Sequence, residues 1–573
     1  MTEKPLVSLL CAAYNQKDYI AQTIEGFLMQ KVNFPIEIII HDDASTDGTA
    51  DIIRKYETEN PGKIRGVYQS ENQYSKKIPV WNKFIFPLAQ GKYFAECEGD
   101  DYWIDPNKIQ RQVDFLENHS DYVLSTENAN ILYTKTNVIK LFSSDPERDI
   151  TLEDLLIKRR FTTASVLYRS KFIQEFIQKN KPSFDTAVWA YLATKGKIHF
   201  NPVISSIYRR GSGVTETDKI KWAYRSEVFN EIINSEYKPS ARVRKARKRI
   251  QFFDYKSGWK AAKKQNRKKD ARKLFARMLF KAPSFFIKDL IKSKGSYYKE
   301  KIITKFWNYF YKILPAPSLK QTNRETPVVV SLTSYPARFN TLHLVIKSIL
   351  NQKKQPDKVV LYLDKTVELK DVPSKVTKLQ KKGLIIRNIC EDIKPHKKYF
   401  YAMQEYPDAA IITIDDDVIY PKDTISSLYN SFQNNPKAVS ARRVHRIMRK
   451  LNGESASYNT WEQGVTDLKT GDKNAIATGI GGVLYPPWAF DFSKPYLQIS
   501  TISEQCLYAD DIWLAFIERL NNIPISIVSN KCPHPYEIED STLKETALRN
   551  QNVFENRNDF YIQKCRDYFG FDL

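Results

Sequence analysis

Cysteine is scarce in this chain. Six occur in 573 residues (Cys11, Cys97, Cys390, Cys506, Cys532 and Cys565), with no CxxC pair and no zinc-type spacing. That pattern excludes a disulfide framework and a structural zinc site, and it points to reduced thiols. Long apolar runs are missing as well: no stretch of about 18 apolar residues occurs, so no membrane-spanning helix is predicted. The opening Met1-Thr2-Glu3-Lys4 leads straight into a strand-like segment, without a basic stretch followed by an apolar one. Neither secretion nor membrane insertion is therefore expected. Acidic residues are almost absent from one region. Between Ala241 and Lys320, only Asp254, Asp270, Asp289 and Glu300 oppose 25 Lys and Arg residues, a surplus of 21 out of the chain's +23. The rest of the chain is close to neutral. No nucleic-acid motif accompanies the basic region, so its charge suits an anionic membrane surface better than a nucleic acid.

An apolar fraction of 42%, with 31 Phe and 33 Tyr, argues for packed cores rather than disorder. The length implies two to four domains. Apolar strand-like runs at Leu6 to Ala12 and Ile36 to Ile40 flank a helical spacing from Gln16 to Gln30, and the alternation continues through Val67 and Tyr93-Phe94-Ala95. The same alternation restarts at Val328 to Leu332, Leu342 to Leu350, Val359 to Leu363 and Ala410 to Ile414. Strands alternating with helices imply mostly parallel sheets, with ligands at the carboxyl ends of the strands. Between the two patterns, residues 242–314 read as basic amphipathic helices, ended by Pro315-Ala316-Pro317. The predicted organisation is α/β, with domains over 1–240 and 326–573 joined by a basic α-helical region over 241–325.

Two acidic clusters follow buried strands: Glu98-Gly99-Asp100-Asp101 and Asp415-Asp416-Asp417. Like charges held together beside a core must be neutralised or bound to a cation. A divalent metal holding a diphosphate is the economical explanation. The first half also carries Ala12-Ala13-Tyr14-Asn15 and His41-Asp42-Asp43-Ala44-Ser45 at strand ends. Together with Glu98 to Trp103, these motifs resemble family 2 glycosyltransferases of the GT-A (nucleotide-diphospho-sugar transferase, Rossmann-like) fold, over about residues 5–215. The second half, from Ser331-Leu332-Thr333-Ser334-Tyr335-Pro336-Ala337-Arg338 through the Asp triplet to Asp510-Asp511, resembles another branch of bacterial GT-A transferases of surface-polysaccharide assembly.

The resemblance implies a donor site in each half. Tyr14, Asn15, Asp42, Asp43, Glu98 and Asp101 would bind the nucleotide sugar in the first, and Thr333, Tyr335, Arg338, Asp364 and Asp416 in the second. Mn or Mg would be held by Asp100 in one half and by Asp415 and Asp417 in the other. Asp185 and Asp511 would be the catalytic bases of an inverting transfer. A family segment that often carries a His corresponds here to Tyr208-Arg209-Arg210, where an Arg would substitute. Gly479 to Tyr485 would form a mobile acceptor-side loop, and Arg442, Arg443, Arg446 and His534 could reach the diphosphate. The implied partners are nucleotide-diphospho-sugar donors, a glycan or lipid-linked acceptor of capsule or lipopolysaccharide type, and an anionic membrane, at the cytoplasmic face of the plasma membrane. Two other readings stay open: one catalytic module with a degenerate, acceptor-binding partner, or a non-enzymatic membrane or nucleic-acid tether.

Overall fold

The computed structural model describes residues 4–178, 185–211, 219–283, 285–286, 289, 303–320, 322, 324–528, 534–538 and 556–573. Met1, Thr2, Glu3, Glu300 and Cys532, named above, lie outside the described residues. The chain divides into two compact units, Met1–Ile291 and Lys292–Leu573.

Unit 1 is built on strands β1 (Val7–Ala13), β2 (Ile36–Asp42), β3 (Ile64–Tyr68), β4 (Tyr93–Glu96), β5 (Tyr122–Tyr133), β6 (Val166–Arg169) and β7 (Lys197–Arg210). Their order across the sheet is β3-β2-β1-β4-β6-β5-β7. The first four are parallel, β6 runs antiparallel to β4 and β5, and β7 is parallel to β5. Both faces are covered, which is why β1 reads as a continuous apolar run. Its alternate residues Val7, Leu9 and Cys11 enter one core, while Leu10 enters the other with Phe94 and Tyr168. Register places Ala13 opposite Asp42 and Leu10 opposite Glu96. The segments after β1, β2 and β4 therefore leave the sheet at the same edge.

Unit 2 repeats this plan with β8 (Val328–Thr333), β9 (Lys358–Asp364), β10 (Leu384–Cys390), β11 (Ala410–Thr413), β12 (Val439–Ala441), β13 (Val483–Tyr485) and β14 (Ile525–Ile527). Their order is β10-β9-β8-β11-β13-β12-β14. Again four strands are parallel, the next is antiparallel to both neighbours, and the last pairs parallel with β12. Each strand of unit 2 thus has a counterpart of the same rank in unit 1.

The basic region, expected as one connecting segment, divides between the units. Helices Lys219–Tyr237, Ala241–Lys264 and Lys268–Lys281 share a small core of Ile220, Phe252, Tyr255, Leu274 and Met278. They join unit 1 through Val243 and Ile233, which pack on Leu156 and Ala190. Arg247 is drawn inside with them: it is buried, donates to Asn230 Oδ1 at 2.7 Å, and is lowered to about 10 by burial. The helical stretch 303–313 belongs instead to unit 2, where Tyr311 enters the main core and Trp307 stacks on Tyr536. Apolar stripes on those helices bury more favourably against a neighbouring domain than in water.

Candidate active sites

In unit 1 the acidic cluster lies just beyond β4. Gly99 is closely packed in the turn, since a Cβ there would press on Ala13 Cβ at 3.1 Å and Ile20 Cδ1 at 3.0 Å and displace the Gln16 amide. Carboxylate oxygens of Glu98, Asp100 and Asp101 converge to within 4.8 Å of one another. Burial, then the charges of Asp100 and Asp185, push Glu98 up to about 8 against the pull of Arg159. Asp101 is raised well above the carboxylate range by burial and by Asp100 and Glu98. Its Oδ1 accepts the Arg209 backbone N–H at 2.7 Å, while its Oδ2 is buried with no partner. Three hard oxygen donors and an orphaned buried oxygen fit a divalent cation.

Arg209 supports this loop. Its guanidinium donates to the Asp100 carbonyl at 2.6 Å and lies between the Tyr19 and Tyr102 rings, 4.7 and 4.4 Å from their centroids. Trp103 is a core residue: it packs edge-on to Phe27 and donates its indole N–H to Ala164 O.

The segments after β1 and β2 meet alongside. Asn15, in the left-handed region at φ 51°, accepts the Thr46 N–H and donates its own N–H to Ser45 Oγ; Tyr14 is half-buried beside it. Asp42 Oδ2 accepts the Ser45 N–H, and Oδ1 is buried without a partner. Asp43 is used internally, its two oxygens accepting the N–H groups of Gln73 and Tyr74. Asp185 opens helix Asp185–Leu192, between β6 and β7. It pairs with Arg159 at 3.2 Å and accepts the Thr186 N–H at 2.7 Å. Since its charge bears on Glu98, the structure brings Asp185 to the cluster. Arg159 carried no signal in the sequence, where Lys158-Arg159-Arg160 reads as surface charge.

Unit 2 sets its carboxylates at matching places. The register of β8 with β11 puts Asp415, Asp416 and Asp417 at the positions of Glu98, Gly99 and Asp100. Asp511 lies in the first turn of helix Asp510–Leu520, between β13 and β14, as Asp185 does between β6 and β7. Asp511 accepts the Gly479 N–H with both oxygens, at 3.0 and 3.1 Å. Burial, then Asp510, raises Asp511 to about 7, opposed by Lys398. Asp417 is likewise raised to about 7 by burial, Asp415 and Asp416.

Cations occupy this second cluster. Lys398 Nζ donates to Asp415 Oδ1 at 2.8 Å and pairs with Asp510 Oδ2 at 2.9 Å. Its charge is favoured, despite burial, by Asp415, Asp510 and Asp511. Arg338 donates to Asp416 Oδ1 at 2.5 Å and lies 3.4 Å from Asp417, while Ser334 donates to Asp416 Oδ2 at 2.6 Å. Lys398 escaped the sequence reading because Lys394 to Lys398 looks like a solvated run. Thr333 donates to Tyr362 O, Asp364 caps the turn at Thr366, and Tyr335 is exposed beside Arg338. Among the expected diphosphate cations, Arg443 packs beside Gly481 of the loop that holds Asp511. Arg442 donates to Thr424 Oγ1, Arg446 pairs with Glu462 and Asp467, Arg443 donates to Gln463, and His534 is exposed.

Comparison with known proteins bears on both units. The family model "Glycosyl transferase family 2" matches residues 8–176 and 331–483, together more than half of the chain. An uncharacterized protein of Mycobacterium tuberculosis is 33% identical over 207 residues, 36% of this chain and 58% of that protein, so the chain spans less than two thirds of that relative's length. The UDP-Glc:alpha-D-GlcNAc-diphosphoundecaprenol beta-1,3-glucosyltransferase of Escherichia coli is 32% identical over 230 residues, 40% of this chain and 86% of that enzyme. Among solved structures, S. aureus TarS in complex with UDP shares 15% identity, with a TM-score of 0.32, covering 43% of this chain and 70% of that one.

Proposed function

Because the chain belongs to glycosyl transferase family 2 and is a glycosyltransferase related to enzymes of surface-polysaccharide synthesis, we propose that it is bifunctional. Each unit transfers one sugar, with inversion, from a nucleotide-diphosphate donor to a growing surface glycan such as capsule or lipopolysaccharide. The observation that carries this reading is the repeated geometry: in both units acidic residues follow the fourth strand, and an Asp opens the helix between the sixth and seventh.

The chemistry follows from those positions. In unit 1 the Asp185 carboxylate takes the proton from an acceptor hydroxyl as that oxygen bonds to the anomeric carbon and the bond to the diphosphate breaks. Arg159 and the Thr186 N–H hold Asp185 in place for this. Asp511 does the same in unit 2, fixed by the Gly479 N–H. In this reading Asp42 Oδ1 accepts from a base N–H of the nucleotide, which its being buried and unpartnered supports. Glu98, Asp100 and Asp101 would hold Mn or Mg, which when bound offsets negative charge on the leaving diphosphate.

The acceptor is taken to be lipid-linked at the cytoplasmic face of an anionic membrane. Support comes from the acceptor in the E. coli relative's name and from the helices over 219–281, which expose Trp222, Phe253 and Phe280 among Lys and Arg side chains. No described helix is long and apolar enough to cross a membrane. The test is a donor screen with nucleotide sugars and a lipid diphosphate acceptor, followed by linkage analysis. Two sugars added in succession support the proposal; a single sugar, unaffected by Asp511→Asn, overturns bifunctionality.

A further inference from the structure

The two clusters differ in what satisfies their carboxylates. In unit 1 three carboxylates crowd together and Asp101 keeps a buried oxygen without a donor. In unit 2 every carboxylate of the site lies against a protein cation or donor. Asp510 Oδ2, also buried without a hydrogen bond, stands 2.9 Å from Lys398 Nζ, whereas Asp101 Oδ2 has no ion pair among the described residues. Asp415 and Asp510 share Lys398, Asp416 is taken by Arg338 and Ser334, Asp417 lies against Arg338, and Asp511 accepts from Gly479. Among the described residues, the one group of three potential metal ligands is that of unit 1. The residues of unit 2 therefore do not fit a divalent ion as those of unit 1 do.

The placement of Lys398 goes against local preference. It sits in the first turn of helix Lys397–Glu405, where the helix dipole disfavours a cation, and its side chain is only 6% exposed. A buried ammonium is costly unless anions surround it. Here two carboxylates from distant parts of the chain do so, one on the donor side and one beside the base. Gly479 keeps the space open, since a Cβ there would stand 3.1 Å from Lys398 Nζ and 3.3 Å from both Asp415 and Asp511. A local cost retained in this way marks a functional position.

We propose that Lys398 is the resident cation of unit 2, standing at Asp415 where unit 1 would bind a divalent ion, so that the chain holds one such ion and the second transfer needs none. Lys398 and Arg338 then supply the positive charge that faces the leaving diphosphate. This inference rests on the glycosyltransferase reading of both units.

Titration of the full-length protein with Mn2+, followed by electron paramagnetic resonance of the free ion, separates the possibilities. The expected result is about one tightly held equivalent, lost in Asp100→Ala and retained in Asp417→Ala and in Lys398→Met. Two equivalents in the wild type, one of them lost in Asp417→Ala, would overturn the proposal. So would a single equivalent that Asp417→Ala removes and Asp100→Ala leaves. Transfer in excess EDTA gives an independent reading when each unit is offered its own acceptor, that of the second step already carrying the first sugar: the sugar sensitive to Asp511→Asn is still added and the one sensitive to Asp185→Asn is lost. Loss of both sugars in EDTA would refute the metal-free second step. Absence of any transfer, even with Mn2+ present, would instead refute the proposed bifunctional activity.

Discussion

Unit 1 and unit 2 share a strand order but distribute positive charge differently. In unit 1 Arg159 pairs with Asp185, the proposed base, while Arg209 meets the acidic loop at the Asp100 carbonyl. In unit 2 the cations Lys398 and Arg338 lie on the carboxylates after the fourth strand, on the donor side. One backbone plan thus supports two electrostatic solutions, because sheet order fixes where the carboxylates emerge and leaves open which neighbouring element supplies the counter-charge.

The largest effects should come from removing the bases. Asp185→Asn and Asp511→Asn keep shape and hydrogen-bonding capacity but cannot take a proton, so each should lower its own unit's turnover by roughly two to four orders of magnitude. Separate assay of the two sugars checks this. If either variant stops both transfers, with the second assayed on an acceptor that already carries the first sugar and the protein still folded, the units are not independent and the comparison fails.

A pH profile sharpens the contrast. Burial and Asp510 hold Asp511 at about 7, with Lys398 opposing and Asp415 adding to the rise. A raised base is protonated below that value and cannot accept the acceptor's proton. Turnover of the second sugar should therefore fall about tenfold per pH unit below about 7 and level off above it. Lys398→Met removes the opposing cation and should move the midpoint upward. An unchanged midpoint in that variant would detach Lys398 from the base.

Crowding the second site is expected to cost less. The methyl of Gly479→Ala would press on Lys398, Asp415 and Asp511 together, and displacement by a few tenths of an ångström should reduce turnover of the second sugar by about tenfold. The first sugar should be added at the wild-type rate. Wild-type addition of the second sugar would show that the loop yields without moving the carboxylates.

In unit 1 the corresponding support is Arg209. Arg209→Lys loses the planar contact with Tyr19 and Tyr102, along with the geometry of the bond to Asp100 O, and should destabilise unit 1 by about 1–2 kcal/mol. Urea unfolding followed by unit-specific proteolysis would measure it. A midpoint equal to wild type would place the loop's support elsewhere.

The smallest effect concerns the basic helices. Replacing exposed Arg244, Lys245, Lys248, Lys263, Lys264, Lys268 and Lys269 by Gln should weaken capture by anionic vesicles, each charge near the surface being worth about 1 kcal/mol. High salt should release the wild type, since screening sets in beyond about 10 Å at 0.1 M. Transfer to a soluble acceptor should not change. Equal capture of variant and wild type would assign these charges to solubility.

Much of the fold was legible beforehand, for a physical reason that particular strands show. Val7–Ala13 and Val328–Thr333 are buried on both faces and so are apolar apart from Ser8, Ser331 and Thr333, while the acidic clusters that follow the buried strands Tyr93–Glu96 and Ala410–Thr413 cannot continue such strands. The boundary of the basic region was not legible, because an amphipathic stripe such as Val243, Phe252 and Tyr255 shows that a helix packs without showing against what. Asp43 illustrates the same limit within a site. Beside Asp42 in sequence it looks equivalent, yet Asp43, one residue past the end of β2, uses both oxygens on the Gln73 and Tyr74 N–H groups, while Asp42 keeps Oδ1 buried without a partner.

By itself the sequence determined the two α/β patterns, the acidic clusters at their strand ends and the location of nearly all the net charge, since these depend on local periodicity and composition. Only the tertiary structure decided which cation meets which carboxylate. Lys398 and Asp510 are far apart in the chain and meet because parallel strands bring helix Lys397–Glu405 and helix Asp510–Leu520 to one edge of the sheet. Charge pairing acts through space over a few ångströms, and no local pattern in the sequence records that distance.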